Sequence, residues 1–399
     1  KERTGLGNRR LSPADFLADK IDAREITPQT ANIDPATASA VVTCVRTGAI
    51  LAAVNYPTFD GNNFLPHRID AEYIRALNND PTEPQNNRAF SETNAPGSTF
   101  KMVTALAGLS QEIITPTTRI RDNVVFRDAG YPPLHCNAAH GVINVVDAIA
   151  ASCNYFFNRV AFNMGNRRNG RTAEGIETLN YYMMALGFGQ PTGVEISERS
   201  SVVGANNVPR LASPTFKEHV RGQAWFDGDT SQASIGQGFV DHTPAEMAKY
   251  FATLATGGIR HQMHFLQHRE NAAGEITAFT PVVEYTLEIY PAHLEAIHRG
   301  MHDAAFGRRG TGRNIFAGFP MDIGVKSGTA ETGTRASHST YGGFAPFDNP
   351  QIAAFVIVPH GDNRHLRSPA GHILRAVFEE YYGLNPQTAS DTASDFSIQ

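Results

Sequence analysis

Nowhere in the 399 residues is there an apolar run approaching the ~18–20 residues that a membrane span needs. The most apolar stretch, residues 352–359, reads as a buried strand. Cysteine is scarce. Cys44, Cys136 and Cys153 are an odd, low number, which excludes a disulfide framework and leaves free thiols or a metal site without deciding the compartment. Charge of one sign is missing too. A net charge of −5 with 18% charged residues leaves no overall basic footprint for nucleic acid. Gly (35) and Pro (23) are near average usage, so the bulk of the chain is folded rather than low-complexity. Lysine is rare: Lys1, Lys20, Lys101, Lys217, Lys249 and Lys326 are all there are. What is present is 41% hydrophobic residues, enough for a large core in a chain too long for one average domain. The chain begins at Lys1 rather than Met, so a processed or trimmed chain is expected, from which an anchor could have been removed.

Residues 1–35 are polar and irregular and read as a linker or the remnant of another domain. Two β-rich runs within residues 40–56 flank Arg46-Thr47-Gly48, a hairpin turn. Helical spacing follows at 98–109, after Pro96-Gly97, and again at 142–164, 174–186 and 244–256. Strand signals return at 322–331, 340–347 and 352–359, before an amphipathic helix at 368–382. Residues 385–399 are rich in Ser, Thr and Asp and are expected to be disordered. Strands, a long helical insertion, then strands and a helix predict an α+β domain whose antiparallel sheet is completed by both ends of the chain.

Three short motifs carry chemistry. In Ser98-Thr99-Phe100-Lys101, a helix start places Ser98 and Lys101 one turn apart on one face. A serine hydroxyl needs a base, and lysine serves as one only when it is neutral, hence desolvated or near other cations. A surface helix with a lysine is the ordinary alternative. In Ser152-Cys153-Asn154, Ser152 could relay a proton to a leaving amine and Asn154 could hold a substrate amide; a helix cap is the plainer alternative. In Lys326-Ser327-Gly328-Thr329, on a strand, Lys326 and Ser327 could bind a carboxylate. Gly328 would let a ligand backbone lie close, and the Thr329 N–H could join that of Ser98 as an oxyanion hole. An edge strand ending in a turn is the alternative there.

Each motif alone is arguable; the ordered set is specific, and it resembles the penicillin-binding protein and serine β-lactamase superfamily. Ser327 stands where that family's third motif has Thr, which keeps the hydroxyl. The segments RTGAILAAVNYPTFDGN, NRAFSETNAPGSTFKMVTALAGL, HGVINVVDAIAASCNYFF, DTSQASIGQGFVDHTPAEMA and VKSGTAETG look like class B transpeptidases, over about residues 38–383. Trp225 to Thr230 ahead of Ile235-Gly236-Gln237-Gly238 looks most like the elongation type, penicillin-binding protein 2. The resemblance implies a transpeptidase fold at 36–384, with an antiparallel five-stranded sheet, flanking helices and a large all-helical subdomain, and makes residues 1–35 what remains of an N-terminal pedestal. It implies a D,D-transpeptidase, acylated at Ser98 by the D-Ala-D-Ala end of a peptidoglycan stem peptide and blocked covalently by β-lactams. Lys101 is then the base, Ser152 the proton relay, and Lys326, Ser327 and Thr329 the carboxylate site. A place on the extracytoplasmic face of the bacterial membrane and a membrane glycosyltransferase of the elongation machinery as partner are implied too. Within the superfamily a D,D-carboxypeptidase or β-lactamase is the alternative enzyme, and a β-lactam sensor domain the alternative of another class.

No cofactor is required for that chemistry, but Asp122, His135, Cys136, His140 and Cys153 lie between or within the first two motifs. Their spacing matches no zinc-finger pattern, and alone it reads as a buried Cys with loop histidines. The resemblance implies a structural zinc held by Asp122, Cys136, His140 and Cys153, with His135 as a substitute, bracing the loop that carries Ser152 and Asn154. His261, His264 and His268 read instead as a solvated loop around a hairpin.

Overall fold

The β-branched run Ala38–Cys44 (β1) turns through Arg46-Thr47-Gly48 into Ile50–Tyr56 (β2). Gly48 has φ +79°, and the Thr47 hydroxyl accepts the Ala49 N–H at 3.2 Å. Far along the chain, Gly324–Thr332 (β3), Arg335–Ala345 (β4) and Ile352–Val358 (β5) join the same five-stranded antiparallel sheet in the order β3-β4-β5-β1-β2. β1 pairs with β5 from Ser39↔Ile357 to Cys44↔Ile352, so both ends of the chain complete the sheet, as the sequence predicts. The computed structural model describes residues 37–166, 173–333, 335–361 and 368–384, with Phe16, Lys20, Ala23 and Glu25. Apart from those four, the expected linker at 1–35 lies outside the described residues, as does the expected tail at 385–399.

β5 shows why the sheet is central. Its alternate residues Ile352, Ala354 and Val356 join a core with Leu374 and Phe378 of the C-terminal helix, while Ala353, Phe355 and Ile357 join the larger core on the other face. That larger core is built on helices: Lys101–Ser110 (α1), Val145–Ala150 (α2), Asn154–Asn166 (α3), Ala173–Ala185 (α4) and Pro244–Ala255 (α5). Pro291–Phe306 (α6) and Pro369–Tyr381 (α7) lie nearer the C-terminus, and shorter helices such as Arg88–Ser91 and Asp227–Ala233 also contribute. α1 is apolar nearly all round and is buried from Lys101 to Leu109, as expected of a helix that packs on every side.

Four differences from the sequence reading matter. The single helical run expected at 142–164 is broken: α2 ends at Ala150, and Ser152 sits in the left-handed region at φ +57° before α3 starts at Asn154. α6, with Pro291 at its start and Gly300 packed against Ile149 of α2, was not anticipated. The insertion is not purely helical, because two-residue ladders such as Val125–Phe126 with Leu134–His135 interrupt it. His264 is also buried and stacked on Phe279 at 4.1 Å rather than solvated. No helix among the described residues is long and apolar enough to cross a membrane.

Candidate active site

Ser98 lies in a 3₁₀ turn, Gly97–Phe100, that runs straight into α1. The turn is pressed against β3. A Cβ on Gly97 (φ +57°) would lie 2.5 Å from the Thr329 carbonyl oxygen. The Pro96 carbonyl accepts hydrogen bonds from the Thr99 and Thr340 hydroxyls at 2.7 and 2.8 Å, which ties the turn to β4. Gly328 serves the same junction. The space its Cβ would need is filled by Thr340 Oγ1 (2.1 Å), the Pro96 oxygen (2.7 Å) and Thr99 Cγ2 (2.9 Å). Protein packing, rather than a ligand's approach, therefore demands this glycine.

Lys101 is fully buried and extends from the first residue of α1 toward the α2–α3 junction. Its ammonium donates to the Ser152 carbonyl at 2.7 Å, the Ser152 hydroxyl at 3.2 Å and Asn154 Oδ1 at 2.6 Å. The left-handed turn at Ser152 presents these oxygens, a conformation non-glycine residues adopt at a cost that clusters at functional sites. Lys326, equally buried, comes from β3 and donates to the same Ser152 hydroxyl at 2.9 Å. Asn154, assigned to a substrate amide from sequence, here holds Lys101 with its oxygen and donates its amide N–H to the His135 carbonyl at 3.3 Å.

Carboxylate pairing separates these lysines from the other described ones. Lys20 pairs with Glu25 at 2.8 Å, Lys217 with Asp229 at 2.7 Å and Lys249 with Glu284 at 2.7 Å. Lys101 and Lys326 meet only neutral oxygens among their hydrogen-bond partners. Burial pushes Lys101 down to about 8, with Cys153 and Cys136 pulling the other way. Burial and the Lys101 charge push Lys326 well below the ordinary lysine value. Ser98 Oγ is not a hydrogen-bond partner of Lys101 in this structure. The arrangement can still do acyl-transfer chemistry, because it offers a base that gives up its proton near neutrality, a hydroxyl shared by two lysines, and a nucleophile at a helix start.

Ser98, Ser152, Asn154, Ser327, Gly328 and Thr329 line one cleft of about 260 Å³. Thr311 Oγ1 lies 2.6 Å from Ser327 Oγ at one end of it. Thr311, Asn137, Gln237, Glu331 and Ser368 also line the cleft, and sequence reasoning missed them as site residues. They come from loops and strand ends far apart in the chain. Only Gln237 and Glu331 stood inside segments that carried the resemblance.

Behind the Ser152 turn, Asp122, Cys136, His140 and Cys153 place one ligand atom each within 4.8 Å of all the others. Cys136 Sγ is 3.6 Å from Cys153 Sγ and 3.5 Å from His140 Nδ1, and Cys153 Sγ is 3.5 Å from Asp122 Oδ2. With ordinary zinc–sulfur and zinc–nitrogen bond lengths, a tetrahedron has edges of roughly 3.5–3.8 Å, so three of these separations fit. Asp122 Oδ2 to His140 Nδ1, at 2.7 Å, is a hydrogen bond instead. Burial would raise the Asp122 carboxyl, but hydrogen bonds from the Val124 N–H and His140 hold it below its usual range. Contact with Cys153 lowers the Cys136 thiol to about 4, and contact with Cys136 raises Cys153. His135 is not part of the cluster: it is exposed, on a short ladder opposite Val125.

Comparison with known proteins agrees with this geometry. Residues 38–381 match the penicillin binding protein transpeptidase domain. The peptidoglycan D,D-transpeptidase MrdA of Escherichia coli K12 is 30% identical over 342 residues, covering 81% of this chain and 51% of MrdA. The chain thus spans about half the length of the curated relatives it matches. The crystal structure of Pseudomonas aeruginosa PBP2 in complex with WCK 5153 superposes with a TM-score of 0.73 at 27% identity, covering 90% of this chain and 73% of that one. A peptidoglycan synthase complex, described as coordinating polymerization and crosslinking, gives a TM-score of 0.74 at 27% identity over 93% of this chain and 60% of that one. The chain belongs to the penicillin-binding protein transpeptidase family, and within it is most like the class B, elongation-type penicillin-binding protein 2.

Proposed function

We propose that this chain is the catalytic domain of a peptidoglycan D,D-transpeptidase that works through an acyl-Ser98 intermediate. The observation that carries the proposal is the convergence of Lys101 and Lys326, both buried and neither paired with a carboxylate, on the Ser152 hydroxyl beside Ser98. Neutral Lys101 takes the Ser98 proton as Oγ attacks the carbonyl carbon of the penultimate D-Ala of a donor stem. The N–H groups of Ser98 and Thr329 receive the oxyanion. The carbon–nitrogen bond then breaks, and the departing D-Ala amine takes its proton through Ser152. Lys326, Ser327 and Thr329 hold the terminal carboxylate, with Thr311 beside Ser327. An amine from a second stem attacks the ester, a cross-link forms, and Ser98 regains its proton. A β-lactam enters as a donor whose leaving group stays attached.

Intact-mass spectrometry after incubation with benzylpenicillin tests the reading. A stable single adduct on the Ser98 peptide is expected. Drug hydrolysis without an adduct would make the chain a β-lactamase, and the absence of both adduct and hydrolysis would refute the acyl-serine assignment.

Asp122, Cys136, His140 and Cys153 would hold a structural zinc. The fit rests on two thiols, an imidazole and a carboxylate converging, with three of their separations matching the edges of a zinc tetrahedron. When bound, the ion would supply a cross-link rather than chemistry. Cys153 lies between Ser152 and Asn154, so the cluster braces the residues that hold Lys101. Elemental analysis should find about one zinc per chain; protein purified without chelators that carries no stoichiometric metal would exclude it.

Membership in the elongation machinery follows from the likeness to penicillin-binding protein 2. It implies work at the extracytoplasmic face of the membrane beside a glycosyltransferase, the pairing of polymerization and crosslinking described for the synthase complex. Co-purification of the full-length protein with its membrane polymerase tests that partner.

A further inference from the structure

Every side chain lining the cleft among the described residues is uncharged except Glu331. It is exposed, and it makes no ion pair among the described residues. The alternation of β3 aims it. Ser327, Thr329 and Glu331 alternate with buried Lys326, Gly328 and Ala330, so the three point to the cleft side. The register with β4 slips between Ala330 and Thr332, but the extra residue lies in β4, where Ala336 and Ser337 together face Glu331, so β3 keeps its alternation through Glu331.

β3 is an edge strand, bonded only to β4, so a donor peptide can add itself to the open edge. The proposed mechanism fixes its direction. The terminal carboxylate lies at Ser327 and Thr311, and the scissile carbonyl at Ser98 and Thr329. The residue before the D-Ala pair then extends antiparallel to β3, toward position 331, two residues or about 7 Å beyond Thr329. We infer that Glu331 determines donor specificity, selecting stems whose residue preceding the D-Ala pair carries a free side-chain ammonium. The inference rests on the transpeptidase reading.

The test uses two penicillins with one nucleus, whose acyl arm ends in a primary ammonium or in its acetamide. The arm occupies the place of the upstream residue. Acylation rate constants are read by intact mass on the full chain, and only their ratio is compared, so a general loss of activity cancels. Wild type should favour the ammonium arm roughly two- to fivefold, the size of an ion pair at an exposed rim, with the preference shrinking at high salt. Glu331→Gln should bring the ratio near one, and Glu331→Lys should invert it. No preference in wild type, or a preference that survives Glu331→Gln, overturns the inference. Failure of benzylpenicillin to label wild type would instead indict the transpeptidase reading.

Discussion

Lys217 and Lys326 are both buried lysines, yet their surroundings differ in one respect. Lys217 faces the Asp229 carboxylate at 2.7 Å, with the Phe226 ring at 4.8 Å; Lys326 faces the Ser152 hydroxyl at 2.9 Å and its neighbour's carbonyl at 2.8 Å. Lys249 repeats the first pattern and Lys101 the second. A carboxylate keeps a buried ammonium charged and makes it part of the scaffold. Neutral oxygens satisfy its hydrogens without holding its proton. Burial lowers Lys249 too, with the Glu284 carboxylate opposing it; of the described lysines only the two at the cleft are buried with no carboxylate partner, and that difference points to the cleft without reference to any motif.

The sharpest way to test that contrast begins with the group the cleft lysines serve. Ser98→Ala should abolish covalent labelling by benzylpenicillin while leaving the thermal unfolding midpoint near wild type, since Ser98 is half-buried and makes no hydrogen bond through its hydroxyl among the described residues. A labelled Ser98→Ala protein would move the nucleophile elsewhere. Lys101→Ala should slow acylation by about 10²–10⁴-fold, the ordinary worth of a positioned general base. Rapid labelling of that variant would strip Lys101 of its role.

Lys217→Ala should do the reverse. It leaves Asp229, 19% exposed, without its cation, and should lower stability by roughly 3 kcal/mol, the low end for breaking a buried pair. Acylation of the folded fraction should be unchanged. Denaturant unfolding and labelling of the same samples separate the two quantities. Equal stability, or a parallel fall in acylation rate, would erase the distinction between scaffold and cleft lysines.

The cleft was legible in the sequence to the extent that its chemistry is local. Ser98 and Lys101 share one turn, and Lys326 to Thr329 one strand, so residue type and short spacing suffice. The sheet was legible because β1 and β5 carry dense β-branched and apolar runs. The backbone at Ser152 was not, because nothing in AIAASCNYFF announces a left-handed residue between two helices; the apolar spacing simply runs on through it. α6 was missed for a related reason. Its buried Ile297, Gly300, Met301, Ala304 and Ala305 are diluted by His293, His298, Arg299 and His302 on the remaining faces. Thr311 and Asn137 belong to loops whose position depends on the assembled fold. The four-residue cluster at Cys136 and Cys153 became readable through family resemblance, since its members are spread over residues 122–153 with no motif spacing.

The smallest expected effect is also the most direct probe of Lys101. Its proton affinity is lowered to about 8, chiefly by burial. Below that pH the ammonium predominates and cannot accept the Ser98 proton. Above it the amine is neutral and the nucleophile is activated. The acylation rate should therefore rise about tenfold between pH 7 and the plateau above pH 8, following one ionisation. Stability should move in the same direction. A lysine whose folded-state affinity lies below its unfolded value of 10.5 is protonated more in the unfolded chain between those two points, so the folded state gains as pH rises through that window. The scaffold lysines supply the control. Lys217→Ala should keep the acylation midpoint near pH 8, because its side chain is bound to Asp229 and does not touch the cleft. A midpoint that shifts in Lys217→Ala, or a flat wild-type profile from pH 6 to 9, would show that the activating proton is not held where two buried lysines meet at Ser152.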